Sequence, residues 1–358
     1  GLYGYDDGKT YAQVRSDHAT APTALGVTVV PRPGFTTLEI EAHSEQDADK
    51  LGTFFNADYF NVSTALTVGM TVSTQDFATL DGQFQLAADT NASVGLKRGE
   101  QTDTAYGTRY AIGGTNLNAF LGLNGPYRVD TDHDGSLDGE VANGNAAGFE
   151  LTGVTGALAL FVDDQLGRTW VQAQTSAAQS NLVGLGDALT VEASNLALQL
   201  NVGSDGSVMD LGTGLAVSTD SVTGTHTLDA DADLGQLVRV AGDFNIAIDG
   251  FVQVRGSAAM EKASRQVTLA NGQSVYVDSL SLGATGLDVF AGVGGPYFVG
   301  GSDLNNNATS ATASGVALSN AEFALSVMAA KPGQAQTGMK WLAADANADS
   351  VALVGLPS

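Results

Sequence analysis

Cysteine is absent from this 358-residue chain, which excludes disulfides and thiolate metal sites. Basic residues are few, since 15 Lys and Arg stand against 39 Asp and Glu and the formal net charge is −24. Such a charge argues against nucleic acid and against an anionic membrane surface as partners. No apolar run approaches the roughly 18 residues of a membrane span. We therefore expect neither a nucleic-acid partner nor membrane insertion.

The short patterns that mark common catalytic sites are also missing. The sequence contains no zinc-protease, serine-hydrolase, P-loop or dinucleotide-binding pattern. Its four histidines are scattered through polar segments, at His18, His43, His133 and His226. The sequence therefore predicts a protein that is not an enzyme.

Aromatic residues make up only 7% of the chain, whereas glycine occurs 45 times. Few segments are rich in the Glu, Lys, Arg and Leu that build soluble helices. Apolar residues alternate instead, as in Leu196, Leu198 and Leu200 or in Phe323 and Leu325. A period of two is typical of strands with one buried face. We predict an all-β protein of short strands joined by Gly, Asn and Asp turns.

Two long segments of the chain recur. Ile112–Tyr127 returns as Leu282–Tyr297, 170 positions later, and both contain G-x-T-x-L-x-x-F-x-G-x-x-G-P-Y. Trp170–Leu185 returns as Trp341–Leu356, 171 positions later, and both end in L-V-G-L. The sequence therefore predicts two tandem copies of one unit.

The predicted units are residues 1–185, with a divergent segment at 1–35, and residues 186–358. Tandem units contact mainly their neighbours, so we expect an elongated rod, either a β-solenoid or a stacked β-sandwich or meander. The chain begins at Gly1 without an initiator Met, and the second copy stops at a repeat seam. We expect it to be part of a longer array.

An acidic loop follows the first Gly-Pro-Tyr and predicts a calcium site. It reads D-x-D-x-D-G-x-x-D, an arrangement in which alternate side chains converge on a hard cation and a glycine permits the sharp turn. It is not a complete EF-hand loop, because Val141 stands at position 12 and Glu140 is one place early. The alternative is a solvated acidic turn. The predicted Ca2+ ligands are Asp130, Asp132, Asp134, Ser136 and Asp138.

Weaker cation sites are predicted elsewhere. After the second Gly-Pro-Tyr, the loop reads D-x-N-x-N, and its candidate ligands are Asp303, Asn305 and Asn307. Fewer carboxylates mean weaker calcium binding. A third acidic group, Asp229–Asp233, would place three carboxylates on one face if it formed a strand. Its alternative is a solvated strand face, as is also expected for Asp345–Asp349.

The repeated Gly-Pro-Tyr motif, the D-x-D-x-D-G loop and the Trp-initiated strand ending in L-V-G-L together resemble repeats of very large acidic bacterial surface proteins. These are the giant repetitive adhesins and their haemolysin-type calcium-binding relatives. The resemblance implies an extracellular, calcium-stiffened, β-rich module used in cell-surface adhesion or filament building. It also implies partners of three kinds: neighbouring repeats, copies of the chain itself, or a cell-surface receptor or glycan.

Two alternative functions stay open. One is a self-assembling filament or surface-layer subunit. The other is a carbohydrate-binding β protein, because sugar sites combine acids, aromatics and calcium, although the 7% of aromatic residues form no visible cluster.

Overall fold

A computed structural model describes residues 26–29, 38–55, 62–74, 78–125, 127–128, 140–163, 165–184 and 189–355. These residues are mostly strand, with one α-helix and one short 3-10 helix among them. Fourteen strands belong to a large antiparallel sheet, and two more form a separate hairpin. The all-β prediction is confirmed, and the described residues contain no closed solenoid.

The elements are numbered in chain order. The strands are β1 (Gly26–Val29), β2 (Leu38–Ala42), β3 (Val62–Thr74), β4 (Ala78–Arg98), β5 (Gln101–Leu123), β6 (Ala147–Asp163), β7 (Thr169–Val183), β8 (Leu189–Gly203), β9 (Val208–Asp210), β10 (Leu215–Ser218), β11 (Thr225–Leu228), β12 (Gln236–Ile248), β13 (Val252–Thr268), β14 (Ser274–Val293), β15 (Ser314–Ala330) and β16 (Lys340–Val354). Helix α1 spans Glu45–Phe55, and the 3-10 helix spans Ala232–Leu234.

The chain divides into two compact units. The first comprises residues 1–94, 105–169 and 213–228, and the second comprises residues 95–104, 170–212 and 229–358. In both units most consecutive strands are antiparallel neighbours, so the sheet is a meander. The exceptions are β9, which pairs with the end of β4, and β12, which pairs with β8. The predicted boundary between residues 185 and 186 stays a prediction.

Helix α1 covers part of the sheet in the first unit. Ser44 starts it as an N-cap, because its Oγ accepts from the backbone N–H of Asp47 at 3.1 Å. Leu51 and Phe54 are buried, three positions apart on one helix face. The ring of Phe54 meets the edge of Tyr110 on β5, with centroids 5.5 Å apart. This burial stabilises a helix whose first residues are largely acidic.

In the second unit, the core lies at the start of β7. Trp170 is fully buried, and its Nε1 donates to Ser207 Oγ at 2.8 Å. Leu237 and Met209 are buried as well. A separate cluster forms where Phe290 and Phe298 pack together beneath the segment that follows β14.

The strands are longer than predicted, because several glycines and asparagines lie inside strands instead of ending them. β5 has 23 residues and β14 has 20. Asn116 (φ 54°) and Gly286 (φ 58°) are within these strands, where the pairing register shifts. A residue with positive φ at a register shift is a β-bulge, which bends the strand without ending it.

The ends of β13 and β14 form a hairpin, with Thr268 paired to Ser274. Its turn is longer than the two-residue turn that an Asn-Gly pair such as Asn271-Gly272 favours. Gly272 alone of that pair has positive φ (81°), and its N–H donates to the carbonyl of Leu269 at 2.8 Å.

Candidate functional site

The main predicted calcium ligands lie outside the described residues. They are Asp130, Asp132, Asp134, Ser136 and Asp138. The segments on either side of the loop are described, and they are held together. The N–H of Asn143 donates to the carbonyl of Tyr127 at 2.7 Å, and its Nδ2 donates to the carbonyl of Asn124 at 2.8 Å. These hydrogen bonds join the residues that follow β5 to the residues that precede β6. We call this hydrogen-bonded junction the closed base of the loop.

Aromatic and charged contacts anchor this base to the sheet. The rings of Tyr127 and Phe120 are stacked, with centroids 6.4 Å apart and planes inclined at 22°. Arg128 donates through Nε to Glu150 Oε1 at 2.7 Å. Because Phe120 belongs to β5 and Glu150 to β6, both strands fix the residues that precede the loop.

The second candidate set, Asp303, Asn305 and Asn307, lies in the segment between β14 and β15. Asp303 Oδ1 accepts from the N–H of Asn305 at 3.0 Å. Asn307 Oδ1 accepts from Arg255 at 3.2 Å. Protein donors thus already contact two of the three candidate side chains. Calcium at these residues stays a prediction.

Arg255 is a buried cation that binds the segment between β14 and β15. Its side chain is 1% exposed, and it donates through Nε and Nη2 to Asp288 Oδ2 at 3.1 and 2.9 Å. Nη1 donates to the carbonyl of Asn306 at 2.8 Å. The guanidinium also lies 4.6 Å from the ring centroid of Phe298. A buried cation with four protein partners is satisfied, and it pins the segment to β13.

A row of amides continues from Arg255 along the same part of the sheet. Gln253 binds the backbone of Phe298 twice, donating to its carbonyl and accepting from its N–H, both at 2.8 Å. Gln253 also donates to Asn245, and Asn245 Nδ2 donates to Glu192 Oε2 at 3.1 Å. These side chains form a polar ladder across β13, β12 and β8.

Beside this ladder lies an open cleft of about 1140 Å3 in the second unit. Carboxylates and amides make up most of its polar lining, whereas the one aromatic ring there, Phe298, is buried. The polar lining includes Asn181, Glu192, Asn195, Asp243, Asp249 and Asn305. Such a surface offers hydrogen bonds to a hydroxylated ligand.

The acidic group at Asp229–Asp233 is not a strand, so its three carboxylates do not share a strand face. Asp231 caps the 3-10 helix by accepting from the N–H of Asp233 at 2.9 Å. Asp229 accepts from Gln174 Nε2 at 2.9 Å, and Asp233 pairs with Lys97. The hydrogen bond that Lys97 donates to Asp233 raises the pKa of Lys97. Each carboxylate has a different local role.

A buried polar cluster at His43 escaped the sequence analysis. His43 Nε2 lies 2.9 Å from Asp81 Oδ2, and Thr71 Oγ1 donates to the same oxygen at 2.5 Å. Asp81 is 38 residues from His43, and β-sheet pairing alone brings them together. No spacing rule would have found the pair.

Two loop carboxylates have lowered pKa values. Asp163 accepts from the N–H groups of Leu166 and Gln165 and from Arg168, and these bonds lower its pKa. The backbone N–H of Gly224, with two preceding amides, lowers the pKa of Asp220. Each carboxylate stabilises a tight turn by accepting hydrogen bonds from the backbone N–H groups of that turn.

Across the described ranges, no group of three or more His, Asp or Glu side chains is placed to hold a metal ion. No helix among them is long and apolar enough to span a membrane. Comparison with family models, curated proteins and solved structures gave no match. The resemblance to bacterial adhesin repeats therefore stays a prediction.

Proposed function

We propose that this chain is a structural and adhesive module of a long extracellular bacterial repeat protein. Its two repeats form β-rich building blocks, and Ca2+ bound at Asp130–Asp138 stiffens the first of them. Its partners would be neighbouring repeats or a cell-surface receptor or glycan.

The observation that carries this proposal is the correspondence between β3–β7 and β12–β16. β3 and β12 each have 13 residues, β6 and β15 each have 17, and β7 and β16 each have 15. The β5–β6 register shifts on both sides of Leu117, and the β14–β15 register shifts on both sides of Leu287, 170 positions later. Matching bulges support descent of both halves from one unit.

Packing details recur with the strands. Gly82 faces Leu117 in the first copy, and Gly256 faces Leu287 in the second. The stacked rings of Phe120 and Tyr127 recur as Phe290 and Tyr297, whose centroids are 5.3 Å apart. Packing contacts that recur in this way favour a structural role.

Calcium fits the donor set of the loop after Tyr127. Four carboxylates and a backbone carbonyl are the hard oxygen ligands that Ca2+ prefers. The closed base through Asn143 and Tyr127 would hold the two ends of the loop in place while the acids converge. The ion would neutralise carboxylates that otherwise repel each other in a chain of net charge −24.

Calorimetric titration of the metal-free chain with CaCl2 tests this proposal. We expect saturable binding that Mg2+ does not reproduce, because Mg2+ is smaller and loses its water reluctantly. A flat titration would remove calcium from the account, although the repeat correspondence would stand.

A second candidate function rests on the polar cleft in the second unit. Its carboxylates and amides suit the hydroxyl groups of a neutral sugar, and the negative charge disfavours acidic glycans. A glycan array probed with the labelled chain tests it. Binding that Asn181→Ala and Asp249→Ala abolish together would support the sugar site, and an empty array would remove it.

A further inference from the structure

β7 and β16 carry corresponding tryptophans at their second positions, Trp170 and Trp341, but they have different neighbours. β8 pairs with β7 in a register that runs from Trp170 opposite Gly203 to Asn181 opposite Glu192. β16 pairs with β15, and no second strand neighbours it in the described part of the chain. We call the side of β16 away from β15 its outer edge. The corresponding edge of β7 is paired with β8, whereas the outer edge of β16 has no paired strand among the described residues.

Burial follows the same difference. Trp170 is fully buried, and its indole N–H bonds Ser207 just beyond the end of β8. Trp341 is partly exposed. Ala173 and Ala177 are buried in β7, whereas the alanines 171 positions later in β16 are exposed. Side chains that are buried on β7 are therefore more exposed at the corresponding positions of β16.

The open strand also carries large apolar side chains. Leu342, Val351 and Leu353 are 70, 69 and 70% exposed. β16 is 15 residues long and contains no proline, and its only lysine is the first residue, Lys340. Proteins usually protect an exposed edge strand with charged side chains, especially lysines, or with prolines or bulges, because its unpaired N–H and C=O groups bind another strand. The middle of β16 has neither lysine nor proline, and its two charges are Asp345 and Asp349.

We propose that the outer edge of β16 binds an antiparallel strand of the β8 type. This inference rests on the correspondence of β7 with β16 that supports the proposed function. The bound strand would add main-chain hydrogen bonds along β16 and cover Trp341, as β8 does for Trp170. It extends the proposed function by naming how one module joins the next: through a continuous antiparallel sheet.

Charge favours a β8-type strand over a second copy of β16. β8 has one charged residue, Glu192, and in the β7 register its Gln199 lies opposite Gln174, the counterpart of Asp345. An amide there can donate to the carboxylate. Two β16 strands paired about Asn347 would instead place Asp345 opposite Asp349, and like charges directly across a sheet destabilise pairing.

The test uses the full chain and a fluorescent peptide of residues 189–208. Fluorescence anisotropy should show saturable binding, and hydrogen exchange should slow at alternate amides of β16. The matched control peptide carries Leu198→Asp and Leu200→Asp, which disrupt the alternating apolar pattern, and its binding should be lost.

Two proline variants of the chain, Ala343→Pro and Ala344→Pro, locate the binding edge. Consecutive N–H groups of a strand point to opposite edges, so one variant removes a donor to β15 and the other removes a donor at the outer edge. The variant that unfolds at the wild-type temperature is the outer-edge variant, and it should lose peptide binding.

Three results would overturn the inference. The first is that the wild-type peptide binds the chain no more tightly than the control peptide does. The second is that the outer-edge variant of the chain still binds the wild-type peptide. The third is that the chain alone forms a dimer and that the outer-edge variant does not. The last result would assign the edge to self-pairing. None of these assays depends on calcium, so their failure leaves the calcium titration as an independent test of the proposed function.

Discussion

Gly256 leaves the space that Leu287 fills. A Cβ on Gly256 would lie 2.7 Å from Leu287 Cδ2, and the glycine has φ 153°. Gly82 and Leu117 stand in the same relationship in the first unit, also at 2.7 Å. The contact is therefore a repeated part of the bulge that bends these long strands.

We predict that Gly256→Ala lowers the free energy of unfolding by about 1–3 kcal/mol, because the added methyl overpacks the bulge and strains the backbone. The matched control is Gly283→Ala, since a Cβ there meets only the carbonyl of Phe323, at 3.9 Å. Urea unfolding measures both. Equal effects of the two variants would show that the Leu287 contact is not a structural constraint.

Arg255 should be among the most costly side chains to remove. Arg255→Met leaves Asp288 and the carbonyl of Asn306 without their donor, and we expect a loss of about 3–5 kcal/mol. The control is Lys331→Met, which breaks the exposed pair with Asp278 and should cost less than about 1 kcal/mol. Chemical unfolding of both variants gives the comparison. A small effect of Arg255→Met would mean that this segment holds its place without the guanidinium.

Asp163 should make stability depend on acid pH. Its pKa is lowered from 3.8 by the N–H of Leu166 and by its other donors, so the ionised form stabilises the folded state above about pH 3.8. That contribution is lost as the pH falls through the lowered pKa. We expect Asp163→Asn to lower stability by about 1–3 kcal/mol at neutral pH. The difference from wild type should shrink in acid.

Unfolding curves across the acid range check this dependence. Glu100→Gln removes the same charge from an exposed turn and serves as the control. A penalty for Asp163→Asn that persists unchanged at low pH would contradict the role of the ionised carboxylate.

The sequence predicted the strand class but not the strand lengths. Alternation such as Leu196, Leu198 and Leu200 indicates a strand, because the apolar side chains of a strand with one buried face recur at every second residue. Glycine is common both in turns and in β-bulges, so the sequence did not show that the strands continue through Gly114 and Gly286. The sequence also gave no sign of the contact that stabilises α1, because the packing of Phe54 against Tyr110 is tertiary.

Some of the site residues could be predicted from the sequence, and others could not. The acids of the calcium loop are close in sequence, so a local pattern could propose them. Arg255 and Asp288 are 33 residues apart and meet through the β13–β14 register, which no local pattern encodes. The recurring segments were visible because Gly-Pro-Tyr and the tryptophan occur twice in the sequence.

The calcium loop itself is tested by Asp132→Ala combined with Asp134→Ala. Removing two carboxylate ligands should lower the unfolding temperature in calcium and leave it unchanged in EDTA. Asp345→Ala with Asp349→Ala removes the same charge from an exposed strand and should not change the calcium response. A double variant that unfolds like wild type in both conditions would exclude a structural calcium site there.

Thermal unfolding of the wild-type chain in about 5 mM CaCl2 and in EDTA tests the central claim most directly, because extracellular sites bind Ca2+ at about 0.1–1 mM. At that concentration calcium is about 5–50-fold over the Kd and adds about 1–2 kcal/mol, which raises the unfolding temperature by a few degrees. The account predicts that rise. Identical curves would contradict it and reduce Asp130–Asp138 to a solvated acidic turn.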